Sequence, residues 1–127
     1  MTELLESNVT SFISDGVLYG VASGVLKRDE MFQIVGKLIK TAKEENLHRY
    51  LFDHRKVTLK FEKSELYQLS FQLKDLGLRE DDKVAVLLPD DLFYNHWYAG
   101  FETSSILHGN KVKLFNSEDT ALQWLKK

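Results

Sequence analysis

Residues 50 to 61 read YLFDHRKVTLKF: Tyr50-Leu51-Phe52, then Asp53-His54-Arg55, then a basic and apolar tail ending in Phe61. An apolar run that ends in Asp-His-Arg is either a reaction centre or the place where a buried strand meets water, and its flanks decide between them. Upstream, Met31, Ile34, Val35, Leu38, Ile39 and Ala42 recur at helical spacing from Lys27 to about Asn46, with Arg28, Gln33, Lys37, Lys40 and Lys43 on the other side. Downstream, Leu66, Leu69, Leu73 and Leu76 form the inner stripe of a second helix that Gly77 stops. A short apolar segment between two amphipathic helices is a buried strand, followed here by a polar loop. Asp53 and His54 then read as the solvated tip of a scaffold.

The same reading extends in both directions. Val9 to Ser14 and Val17 to Ala22 are β-prone runs separated by Asp15-Gly16, a dipeptide that tolerates the positive φ angles of a tight hairpin. Val84 to Leu88 lacks alternation, as suits a central strand covered on both faces, and Pro89 ends it by removing a backbone donor. A third helix runs from about Asp91 to Leu107, closed by His108-Gly109, and Val112 to Phe115 supplies the last strand. Ser117 caps a final helix that carries Ala121, Leu122, Trp124 and Leu125. The order ββαβαβαβα predicts an α/β fold with a mixed, mostly parallel five-stranded sheet and four helices, its first strand antiparallel, in one domain over 1–127.

Composition narrows the function classes. With 43% hydrophobic and 28% charged residues, one Pro and 7 Gly, the chain has the balance of a globular protein. A net charge of -2 and the lack of a Lys/Arg stripe argue against nucleic acid as a partner. Zero cysteines remove disulfides, thiolate metal sites and cysteine nucleophiles together. The start MTELLESNVTSF is acidic where a signal peptide is basic, and no apolar run has the length of a membrane span, so a cytoplasmic location is expected.

Catalytic and cofactor signatures do not appear. Asp53 ends a strand where parallel sheets place reactive groups, but the acidic pair of a receiver-type phosphoacceptor site is missing, and such an Asp ordinarily accepts hydrogen bonds from its own loop. His54 stands beside Arg55 and Lys56, and His96 and His108 are twelve positions apart on one helix, about 18 Å, too far to share an ion. Ser104-Ser105 lies within a helix and not on a nucleophile elbow, and Gly20 and Gly24 do not form a phosphate loop. No enzyme, metal or cofactor is expected.

The element order resembles a known group, as do Gly24-Val25-Leu26, Leu51-Phe52-Asp53, Lys83-Val84-Ala85-Val86, Gly100-Phe101-Glu102, and Phe115-Asn116-Ser117 leading into Ala121-Leu122-Gln123-Trp124-Leu125. Together they resemble the SpoIIAA-like group of the STAS superfamily, relatives of the anti-sigma-factor antagonists, with further similarity to lipid-binding domains of the Sec14 type. The resemblance implies a bacterial regulatory module that binds a protein partner and is controlled by phosphorylation of one hydroxyl at a helix start. The antagonists' Asp-Ser-Ser-Gly is absent: its slot falls at about Phe61 to Ser64, here Phe-Glu-Lys-Ser. Glu62 then lies closest to the phosphoacceptor and could imitate part of a phosphate's charge, and Ser64 is the one hydroxyl on that turn; the plain alternative is that both only cap a helix. Lys27 also departs, since a lysine cannot accept amide hydrogen bonds where the group has a capping hydroxyl.

Aromatic residues mark the remaining candidates. In Phe93-Tyr94-Asn95-His96-Trp97-Tyr98-Ala99-Gly100-Phe101, helical spacing puts Phe93, Trp97 and Phe101 on one face, read as core, and Tyr94 and Tyr98 on the neighbouring face. Tyr67 and Phe71 point about 100° or more from their own helix's leucine stripe. Tyr67, Phe71, Tyr94 and Tyr98 are therefore predicted to form an interaction surface for a protein partner, a second copy of the chain included. The alternative is an apolar pocket for a small molecule or lipid near the helix over 90–108.

Overall fold

The computed structural model describes residues 8–127. Their elements follow the expected order: β1 (Asn8–Ser14), β2 (Val17–Lys27), α1 (Arg28–Glu44), β3 (Arg49–Lys60), α2 (Lys63–Gln72), β4 (Lys83–Leu87), α3 (Asn95–Leu107), β5 (Lys111–Phe115) and α4 (Glu118–Leu125). The sheet order is β1-β2-β3-β4-β5, antiparallel between β1 and β2 and parallel elsewhere. At the hairpin Asp15 and Gly16 both take positive φ, 54° and 77°, the pattern of a type I′ turn whose twist matches its strands.

Because β2 to β5 are spatial neighbours in chain order, right-handed crossovers place their three connecting helices on one face. There Leu18, Tyr50, Phe52, Val84 and Val86 pack with Met31, Val35, Ile39, Leu66, Leu69, Tyr98 and Phe101 in the larger core. On the opposite face Val17, Tyr19, Leu51, Ala85 and Leu87 pack with Ala121 and Leu125 of the short α4, with Phe115, Leu122 and Trp124 partly buried against them. That face is left open toward β1.

The first correction concerns β3, which does not end at Phe52 but runs twelve residues to Lys60. Its second half was legible as alternation: Val57 and Leu59 are buried, while Lys56, Thr58 and Lys60 are exposed. The first half has the opposite phase. The register jumps from Val21↔Asp53 to Ser23↔Lys56, so β3 carries one extra residue, a bulge around His54-Arg55 that returns Val57 and Leu59 to the three-helix face. Asp-His-Arg is thus the bulge and not a loop.

Capping shows how the chain compensates for its unusual helix starts. At α1, Glu30 accepts the Lys27 N–H through Oε1 at 3.1 Å, with Asp29 also in the first turn. At α2, Glu65 accepts the Glu62 N–H at 3.4 Å. Ser117 caps α4 with its hydroxyl, 3.3 Å from the Thr120 N–H.

Candidate functional site

The strand-end pair separates first. Successive strand side chains point to opposite faces, so Asp53 turns toward the α4 side and His54 into the three-helix core. Asp53 accepts from Arg55 three times, from N at 3.1 Å, Nε at 3.0 Å and Nη2 at 2.8 Å. Burial works to raise its carboxyl, and the hydrogen bonds and charge of Arg55 more than offset that, holding it below the ordinary carboxylate range. With Lys56 and Asp90, 2.6 Å apart, it lines a shallow polar hollow of about 330 Å³. His54 is buried, its Nδ1 2.8 Å from Tyr98 Oη. Burial lowers the imidazole to about 4, only partly opposed by the Asp53 charge.

Tyr94 and Tyr98 are buried and Phe93 is exposed, the reverse of the expected faces; Trp97 is half-buried and Phe101 buried. The segment opens with a 3-10 turn over Leu92–Tyr94 before α3 begins, which shifts its phase, and the inward stripe becomes Tyr94, Tyr98, Phe101 and Ser105. The hydroxyls that made burial look costly find partners on the extended β3. Tyr94 Oη accepts from the Leu59 N–H and donates to the Leu59 carbonyl, both at 3.3 Å, and Tyr98 reaches His54. Tyr94 and Tyr98 therefore cannot line an outer surface. Beside Tyr98 a cavity of about 20 Å³ remains between the three helices and the sheet, no larger than one water.

Tyr67 and Phe71 do face outward. Leu66, Leu69 and Ser70 turn α2 inward, and the opposite stripe is Ser64, Tyr67, Gln68 and Phe71, at i, i+3, i+4 and i+7. Across from it, α3 presents Ala99, Thr103 and Leu107, and the two helices enclose an open groove of about 580 Å³. Phe71 is 53% exposed and Leu107 79%, although the His108 ring lies tilted against Phe71 with centroids 4.6 Å apart. The helices are tied beneath the groove by Ser70 Oγ, which donates to Ser104 Oγ at 2.7 Å. In the sequence Leu107 is visible only as the end of α3; its place in the groove depends on α2.

Gly100 sets the groove floor. A Cβ placed there would meet the Tyr67 ring and hydroxyl at 2.1 to 2.6 Å, so the phenol lies flat on α3 only because no side chain intervenes. Gly100→Ala is expected to expel the ring and cost about 1–3 kcal/mol as an overpacked contact. The check is a urea midpoint together with Tyr67 ring resonances in NMR.

Glu62 and Ser64 are exposed at the start of α2, Ser64 one turn before Tyr67 on the same stripe. The closest metal-type grouping among the described residues is His48, Asp81 and Asp82. Within it Asp82 is already engaged: it accepts from the Arg79 N–H at 2.8 Å and lies 2.8 Å from His48 Nδ1, fastening two loops together. Among the described residues no helix is long and apolar enough to cross a membrane.

Neither a family model nor a curated protein sequence matches the chain. Solved structures do. An anti-sigma factor antagonist from Mycobacterium paratuberculosis superposes with a TM-score of 0.63 at 17% identity, covering 96% of each chain. An uncharacterised protein with a SpoIIAA-like fold from Shewanella loihica gives 0.56 at 19% identity, covering 94% of this chain and 93% of that one. The chain has a SpoIIAA-like fold, with a mixed five-stranded sheet and four helices.

Proposed function

We propose that this chain is a noncatalytic, cytoplasmic regulatory module that binds a protein partner in the groove between α2 and α3. The observation that carries the reading is the apolar, solvent-open character of that groove, where Phe71 and Leu107 spend their hydrophobic surface on water. An exposed aromatic next to a leucine, over a floor kept open by Gly100, is the composition of an interface core. The likeness to an anti-sigma factor antagonist supports a regulatory setting, and the divergence of Asp53 from His54 supports a noncatalytic one.

Regulation enters at the start of α2. Glu62 keeps a fixed negative charge at the positive end of that helix. A phosphate on Ser64 would add about -1.5 to -2 charges on the stripe that carries Tyr67 and Phe71, close enough to change what docks there.

Phe71→Asp and Leu107→Asp are each expected to weaken partner binding roughly thirtyfold, the effect of a hot spot worth about 2 kcal/mol, with far-UV circular dichroism unchanged because both side chains are exposed. The measurement is quantitative capture from the source cells with wild-type and variant protein side by side. A stoichiometric partner retained equally by all three would overturn the groove as the binding face, and no stoichiometric partner at all would overturn the module reading.

A further inference from the structure

The outer edge of the sheet at β1 offers a surface independent of that groove. β1 spans seven residues, NVTSFIS, without a charge or a proline, and among the described residues no strand pairs with its far side. In an antiparallel pair every second residue turns its N–H and C=O away from the partner strand, so among the described residues β1 presents a row of backbone groups with no strand partner. Two large apolar side chains go with it: Phe12 is 48% exposed and Ile13 46%. The opposite edge differs, since β5 is five residues long and carries exposed Lys111 and Lys113, the charges that ordinarily protect an edge.

We propose that β1 pairs antiparallel with β1 of a second copy of the chain, about a two-fold axis at Ser11. The register argues for a copy of itself. Centred on Ser11, Ile13 falls opposite Val9 of the other copy, apolar on apolar, on the three-helix face. On the α4 face Phe12 falls opposite Thr10 with the second Phe12 diagonal to it, within aromatic reach. Phe12 is already held for this, its ring stacked on Tyr19 at 4.5 Å and 13°. No like charges meet, because the strand has none. The two sheets join into one of ten strands, and the two-fold closes the assembly, while the lysines of β5 discourage open-ended growth.

The chain has no cysteine, so single cysteines report the register. Residues directly opposite in such a pair have Cα atoms about 4.5–5.5 Å apart, within disulfide reach, whereas positions offset by one residue from the axis are beyond the ~7 Å limit. Ser11→Cys is expected to oxidise to a covalent dimer and Thr10→Cys to remain uncrosslinked. Ser11→Lys and Ser11→Glu should each raise the dimer dissociation constant roughly tenfold or more in sedimentation equilibrium, and an equimolar mixture of the two should recover the dimer. Circular dichroism checks that each variant is folded, and the cysteine pair stands should a charged variant not be. A wild-type monomer at the highest soluble concentration, equal crosslinking from both positions, or a dimer indifferent to charge at position 11 would overturn the proposal. Because no groove residue is altered, failure here leaves the partner-binding reading standing.

Discussion

Lowering the pH from 7.5 to 4 is expected to remove about 3 kcal/mol from the free energy of unfolding through His54 alone. The imidazole lies near 4 in the folded protein, chiefly because burial disfavours its charged form, against 6.5 for the free side chain. Between those values the unfolded chain binds a proton that the folded chain refuses. Stability from this group is therefore complete above about 6.5, falls as pH falls through the window, and stops falling near 4, where folded His54 also protonates. Asp53 acts elsewhere: its carboxyl is lowered, so its contribution is lost only as pH drops below the ordinary 3.8. The control is the double variant His54→Leu/Tyr98→Phe, which removes both ends of the 2.8 Å hydrogen bond and so strands neither partner. Urea melts at several pH values should show the wild-type slope between 6.5 and 4 and a flatter one in the double variant. Equal slopes would mean that His54 titrates normally and that the buried pair is not the acid-sensitive point of the core.

That buried pair also shows where the sequence could be read and where it could not. Helical spacing of apolar residues identified α1 and α2, although α2 ends at Gln72 and not at Gly77, and an uninterrupted apolar run identified β4. Asp15-Gly16 marked the hairpin for an equally local reason, the positive φ angles it adopts. The bulge in β3 is another matter. One inserted residue reverses the strand's phase midway, so Phe52 and Val57 face the same core although they are an odd number of positions apart, and the alternation of Val57, Thr58 and Leu59 looked detached from the strand before it. With β3 cut short, Tyr94 and Tyr98 had no visible hydroxyl partners and were assigned to the surface, whereas Leu59 and His54 supply those partners from the missing half. Tyr67 and Phe71 were legible because they depart from a leucine stripe on their own helix. Leu107 and Gly100 gain their roles only from the neighbouring helix, a relation no single-element pattern contains.

Asp82→Ala is expected to destabilise the protein by about 3 kcal/mol, near the lower end of the cost of breaking a buried charge pair. Asp82 is fully buried just before β4, between two segments that approach each other at the N-terminal edge of the sheet. One oxygen takes the Arg79 N–H at 2.8 Å and Arg79 Nε at 3.3 Å; the other lies 2.8 Å from His48 Nδ1. Arg79 in turn donates through Nη2 to the Leu47 carbonyl, and Lys83 N–H to the His48 carbonyl at 2.8 Å, so one carboxylate aligns the entry of β3 with the entry of β4. Removing it leaves the partly buried Arg79 Nε and the Arg79 amide without their acceptor. That penalty far exceeds the worth of exposed ion pairs such as Lys56–Asp90 or Lys126–Asp15, each at 2.6 Å but in water, where about 0–1 kcal/mol is the rule. Salt separates the two cases: 1 M NaCl, with a screening length of about 3 Å, should abolish any effect of Lys126→Ala and leave most of the Asp82→Ala deficit in place. Asp82→Asn, which keeps one acceptor oxygen, should fall between alanine and wild type. The readout is the urea midpoint at pH 7.5 with and without salt. An Asp82→Ala loss no larger than that of Lys126→Ala would mean that the two strand entries are aligned by the sheet's own hydrogen bonds and that the carboxylate is incidental.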